Sequence, residues 1–76
     1  KLELTKNEYR ILQVLFERRG KVVARETLMQ RLWETDSYVD ENALTVNVAR
    51  LRRKLEGAGL EDFIATKKGM GYRIGE

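Results

Sequence analysis

The chain has 76 residues, 42% of them apolar, and carries 15 Lys+Arg against 12 Asp+Glu for a net charge of +3. That fits one small globular domain rather than a disordered segment, with a mildly basic balance that permits an anionic partner without naming one. Cysteine and histidine are both absent, which excludes disulfides, thiolate chemistry and the usual zinc sites and removes the commonest general base.

No apolar run is long enough to span a membrane and no charged-then-apolar leader opens the chain. The expectation is a reduced, cytoplasmic binding domain that is not an enzyme and takes no metal or cofactor. In chain order, Lys1 to Leu4 alternates polar and apolar residues, as a strand does. Thr5 with Glu8 three residues later reads as a capping box, and Leu4 and Tyr9 sit where a hydrophobic staple places its pair. Tyr9, Leu12, Leu15 and Phe16 then recur at helical spacing, with Ile11 and Val14 widening the stripe. Arg18 and Arg19 suit the negative end of this first helix, and Gly20 can end it.

Lys21-Val22-Val23 reads as a brief strand. A second helix is predicted from Arg25 to Trp33, poorly capped because Ala24 offers no side-chain acceptor, with Leu28, Met29 and Leu32 on its inner side. A turn-like stretch from Glu34 to Val39 follows. Asp40 can cap a third helix over residues 41–56, which Gly57 and Gly59 stop. Phe63-Ile64-Ala65-Thr66 and Tyr72-Arg73-Ile74 read as the strands of a β-hairpin spanning about 63–75, with a basic, glycine-rich tip at Lys67-Lys68-Gly69-Met70-Gly71.

The third helix is the most informative element. Leu44, Val48, Leu51 and Leu55 form one narrow apolar seam. At 100° per residue the opposite direction is held by Asn42, Val46, Ala49, Arg50 and Arg53, flanked by Thr45 and Arg52 on one side and Ala43, Asn47 and Lys54 on the other. Arginine can fork onto guanine, asparagine can pair with adenine, and threonine can hydrogen-bond or touch a thymine methyl. Val46 gains nothing facing water; it fits either a thymine methyl or the underside of the loop from Glu34 to Val39. Arg52, Arg53 and Lys54 suit phosphates, although a basic helix end is also what the helix dipole favours. Lys67 and Lys68 suit a minor groove equally as they suit a solubilised turn. Three helices and a basic hairpin together have the layout of a winged helix, α+β but mainly α.

Four stretches carry a resemblance: Leu4 to Leu12, Arg25 to Trp33, Val46-Asn47-Val48-Ala49-Arg50-Leu51-Arg52-Arg53-Lys54-Leu55, and Lys68-Gly69-Met70-Gly71-Tyr72-Arg73. They resemble the C-terminal effector domain of OmpR/PhoB-type response regulators, along nearly the whole chain. The resemblance implies a two-component transcription factor of bacteria, cytoplasmic, binding double-stranded promoter DNA on direct repeats. It also implies a receiver domain and a sensor kinase as partners, and an N-terminal sheet of which Lys1 to Leu4 is the remnant. Arg25, Trp33, Thr66 and Tyr72 match positions that hold the DNA backbone, and Lys68 matches the minor-groove residue. Trp33 can equally plug the core, and Arg25 can pair with Glu26 or Glu34. The loop 34–39 corresponds to the one through which relatives contact RNA polymerase. Ala49 and Asn42 depart from the arginines frequent there. The Thr45-Val46-Asn47-Val48 run resembles regulators of cell-envelope and antimicrobial-peptide responses. The DNA-binding set expected is thus Arg25, Trp33, Asn42, Thr45, Val46, Asn47, Arg50, Arg52, Arg53, Thr66, Lys68 and Tyr72; a protein-interaction module with the same layout is the alternative.

Overall fold

The computed structural model describes residues 2–75. There are three helices, α1 (Lys6–Glu17), α2 (Arg25–Trp33) and α3 (Glu41–Gly57); strand β1 (Val23–Ala24) lies between α1 and α2, and β2 (Ile64–Lys67) and β3 (Gly71–Ile74) follow α3. The architecture is the mainly helical winged helix that the sequence predicts.

The capping box at the start of α1 is formed. The Thr5 hydroxyl accepts from the Glu8 backbone N–H at 3.1 Å, and Glu8 Oε1 accepts from the Thr5 N–H at 2.9 Å. Glu8 is only 1% exposed, so its charge needs a partner. Lys54 Nζ donates to Glu8 Oε1 at 2.7 Å and ties α3 to α1. Burial pushes the Glu8 carboxyl up, but the Lys54 ammonium and the Thr5 N–H outweigh it and hold the group below its ordinary range. Lys54 was expected in the basic, phosphate-facing end of the third helix; it points the other way because a buried carboxylate lies there.

The seam of α1 also differs from expectation. Ile11, Val14 and Leu15 are the buried residues, while Tyr9 is 61% and Phe16 47% exposed. The helix is apolar on two faces, and α2, α3 and β3 cover only one of them. Phe16 instead meets the Phe63 ring, centroids 5.9 Å apart. Leu2 to Leu4 forms no strand, since a strand needs a neighbour for its ladder; Lys1 lies outside the described residues. Gly20 falls beyond the Arg18 cap of α1 and donates its N–H to Ile74 O, so it turns the chain toward the sheet.

On α3 the predicted seam is buried without exception: Leu44, Val48, Leu51 and Leu55 are 0–2% exposed. Asp40 Oδ1 caps the helix by accepting from the Ala43 N–H at 2.8 Å. Gly57 does not stop the helix but belongs to it. The stop is Gly59, at φ +90°, whose N–H reaches Glu56 O while the Leu60 N–H reaches Leu55 O. That pair of bonds is a Schellman closure, which favours glycine at the left-handed position.

The strands form one antiparallel sheet in the order β1-β3-β2, with Val23 opposite Tyr72 and Thr66 opposite Tyr72 on the other side. The first strand begins two residues later than predicted and ends one later, at Val23–Ala24. The hairpin tip is shorter than the predicted five residues, because Lys67 and Gly71 pair within the ladder and Met70 N–H closes a turn onto Lys67 O. Gly71 has a steric reason to be glycine: a Cβ there would collide with the Val23 carbonyl oxygen of β1. The close approach anchors the hairpin to the helical body.

Candidate nucleic-acid interface

The buried seam of α3 fixes what its other face presents. Asn42, Thr45, Val46, Ala49, Arg50 and Arg53 are exposed, and Asn47 and Arg52 are half-buried at the margins. Val46 is 41% exposed, so it does not pack under the loop from Glu34 to Val39. Lys68 is exposed at the wing tip beside Gly69, and Met70 is 62% exposed there. Arg50, Arg53 and Lys68 enter no ion pair or side-chain hydrogen bond among the described residues, whereas Arg25, Arg52 and Lys54 do.

Arg25 opens α2 and reaches across the gap between the helices and the sheet. Its Nη1 donates to Tyr72 Oη at 2.6 Å, and its Nη2 donates to Glu41 O and to Thr45 Oγ1, each at 2.8 Å. Neither Glu26 nor Glu34 pairs with it; the acceptors of α3 and β3 surround it more completely. The guanidinium also lies 5.7 Å from the Tyr72 ring centroid. Tyr72 is 5% exposed. On the other flank Arg52 Nη2 donates to Ile64 O at 3.0 Å and to Thr66 Oγ1 at 2.8 Å, bracing α3 against β2. Asn47 Nδ2 donates back to Ala43 O at 2.8 Å within α3. Arg25 with Thr45 and Tyr72 on one flank, and Arg52 with Thr66 on the other, thus orient the helix against the wing, while the Asn47 bond stays within α3.

Trp33 is 46% exposed and does not plug the core. Its indole N–H, the donor that a contact to the DNA backbone would use, donates to Val39 O at 3.1 Å. Its ring stacks on Tyr38 with centroids 5.8 Å apart and planes 8° apart. Tyr38, 81% exposed, was not singled out in the sequence; only its place in a polar loop near a tryptophan hinted at it. The predicted poor cap of α2 is real, since Ala24 makes no side-chain cap bond. The free amides of that first turn border a groove lined by Ala24, Arg25, Glu26, Glu41, Gly69 and Met70. No group of acidic residues suited to a metal occurs among the described residues, and no helix is long and apolar enough to cross a membrane.

Known proteins place this geometry. The family described as "Transcriptional regulatory protein, C terminal" matches residues 1–74. The sensory transduction protein BceR of Halalkalibacterium halodurans is 48% identical over 75 residues, covering 99% of this chain and 32% of that protein. This chain therefore spans about a third of the length of the curated relatives it matches. The C-terminal domain of the nisin resistance regulator NsrR, a lantibiotic response regulator, superposes with a TM-score of 0.86 at 41% identity, covering 96% of this chain and 74% of that one. The response regulator AdeR DNA-binding domain, solved in complex with an intercistronic region, also gives 0.86, at 32% identity over 99% of this chain and 74% of that one. The chain belongs to the family of transcriptional regulatory protein C-terminal domains, of the OmpR/PhoB response-regulator type whose motifs its sequence carries.

Proposed function

We propose that residues 1–76 form one winged-helix domain that binds double-stranded promoter DNA sequence-specifically, as the effector domain of a two-component response regulator in the bacterial cytoplasm. α3 is its recognition helix and the hairpin its wing. The observation that carries this is the contiguous outer face of α3, where Arg50 and Arg53 have no side-chain partner among the described residues and stand around exposed Val46 and Ala49. A helix buried along one seam and offering arginine, asparagine and methyl groups on the other is suited to the major groove. Arg50 takes a guanine, Asn42 and Asn47 take adenines, and Thr45 and Val46 take the neighbouring base edges. Lys68 enters the adjacent minor groove, where narrowing strengthens the negative potential.

Arg25, Arg52, Arg53, Thr66 and Tyr72 hold phosphates, helped by the uncapped first turn of α2. Arg25 and Arg52 use part of their donor set internally and keep the rest for a phosphate oxygen. Trp33 contributes its exposed ring beside the backbone, and its N–H only by leaving Val39. The Trp33–Tyr38 pair on the loop 34–39 is the surface proposed for RNA polymerase. A receiver domain answering to a sensor kinase, and tandem binding to direct repeats, complete the reading for the full-length protein. The envelope-stress subgroup fits the kinship with a lantibiotic response regulator.

Selection of duplexes from a random pool tests the reading. An enriched motif, recurring in spaced direct repeats, supports it; a pool no different from its input overturns it. Salt separates it from protein docking: with Arg25, Arg52 and Arg53 on phosphates, log affinity should fall with log salt at a slope of roughly −2 to −3.

A further inference from the structure

The Thr45 hydroxyl sits in a closed hydrogen-bond ring. Its Oγ1 donates to Glu41 O at 3.1 Å and accepts from Arg25 Nη2 at 2.8 Å, while the same Nη2 donates to Glu41 O at 2.8 Å. A hydroxyl has one hydrogen and two lone pairs. The hydrogen is committed to Glu41, and one lone pair is committed to Arg25. Swinging the hydrogen outward would turn a lone pair onto the Glu41 carbonyl. What Thr45 presents to the outside is therefore one lone pair and its methyl group, without a donor.

Arg25 is itself held on two sides. Its other nitrogen is fixed by Tyr72 Oη at 2.6 Å, on a strand bonded to the helical body through β1. The ring needs a planar fork that spans α3 and β3, which a lysine ammonium cannot supply. In the major groove adenine N6 and cytosine N4 are donors, thymine carries a methyl, and guanine offers only the acceptors N7 and O6. An acceptor-only threonine is compatible with the first three and repels the fourth.

We infer that Arg25 is a positioning residue for base readout: it holds Thr45 in an acceptor-and-methyl state, and so excludes guanine from the base edge that Thr45 faces. This rests on the DNA reading above, with α3 in the major groove.

The test repeats the duplex selection with the wild type, Thr45→Val, Thr45→Ser and Arg25→Lys, each checked for a cooperative thermal transition. The position facing Thr45 is the one whose base ranking changes in Thr45→Val. There the wild type should disfavour guanine roughly 5- to 50-fold. Thr45→Ser keeps the ring and should keep that penalty, losing only the preference for thymine. Arg25→Lys keeps the charge but opens the ring, and should shrink the penalty to within about threefold while leaving the ranking at other positions intact. Guanine as the preferred base at that position overturns the inference. So does Arg25→Lys weakening all sequences equally, or Thr45→Val altering no position. A wild type that enriches no sequence overturns the DNA reading itself, a result distinct from these.

Discussion

Two sets of basic side chains lie on α2, α3 and the wing, and they differ in what they touch. Arg25, Arg52 and Lys54 reach inward: to Tyr72, Glu41 and Thr45, to Ile64 and Thr66, and to Glu8. Arg50, Arg53 and Lys68 stand in water with no such partner among the described residues. Arg52, Arg53 and Lys54 are consecutive in sequence, yet only Arg53 belongs to the second set. The first set assembles the surface and the second is offered by it. A charge count cannot separate them; the difference lies in whether a helix position turns toward a buried carboxylate and a strand, or away from both.

The comparison breaks most readily at its buried end. Glu8→Ala removes one half of the capping box and leaves the Lys54 ammonium without its carboxylate, at a cost of about 2–3 kcal/mol of folding stability. Thermal unfolding should register a fall of about 10 °C or more. The same pair sets a pH dependence. The native Glu8 carboxyl lies below its ordinary value of 4.5, so its stabilisation is fully present above that pH and is lost as pH falls through the native value. The stability gap between wild type and Glu8→Ala should therefore narrow as the pH falls below that ordinary value and through the lower native one. A gap that widens there would place the charge pair elsewhere in the balance.

At the exposed end the expected losses fall on binding and spare the fold. Arg50→Ala should cost about 1–3 kcal/mol of duplex affinity with stability changed by no more than about 0.5 kcal/mol. Val46→Ala should remove about 1 kcal/mol at a single thymine, the worth of its buried methyl contact. Uracil in place of that thymine should weaken the wild type equally and leave Val46→Ala unaffected; equal sensitivity in both proteins would remove the methyl contact. Lys68→Ala is the smallest expected effect, a few tenths of a kcal/mol up to about 1 kcal/mol, seen only for A·T-rich flanks. A footprint unchanged at those flanks would take the wing tip out of the interface.

Where sequence and structure agree, local rules decide. The capping box at Thr5 and Glu8, the seam from Leu44 to Leu55 and the hairpin around Gly69 each follow from spacing and backbone chemistry, and each forms. Where they part, the deciding partner is distant in the chain. The spacing of α1 cannot say which of two apolar faces is covered, and the answer lies with α2, α3 and β3. Lys54 turns inward because Glu8, far away in sequence, is buried. Trp33 gives its N–H to Val39 because the loop folds back on α2. The Arg25 ring joins residues from α2, α3 and β3, and nothing in the local sequence around any of them announces it. Arg25, Thr45 and Tyr72 are each legible in the sequence as a separate contact to DNA; their joint support through the Glu41 carbonyl is not.

The division between inward and outward basic residues is tested most directly by measuring Arg50→Ala and wild type against the selected duplex and every single-base variant of it. The division predicts that the Arg50→Ala protein unfolds as the wild type does and loses discrimination at one base pair, where guanine was preferred. An equal loss of affinity on every duplex, or a destabilised protein with its base preferences intact, would contradict it.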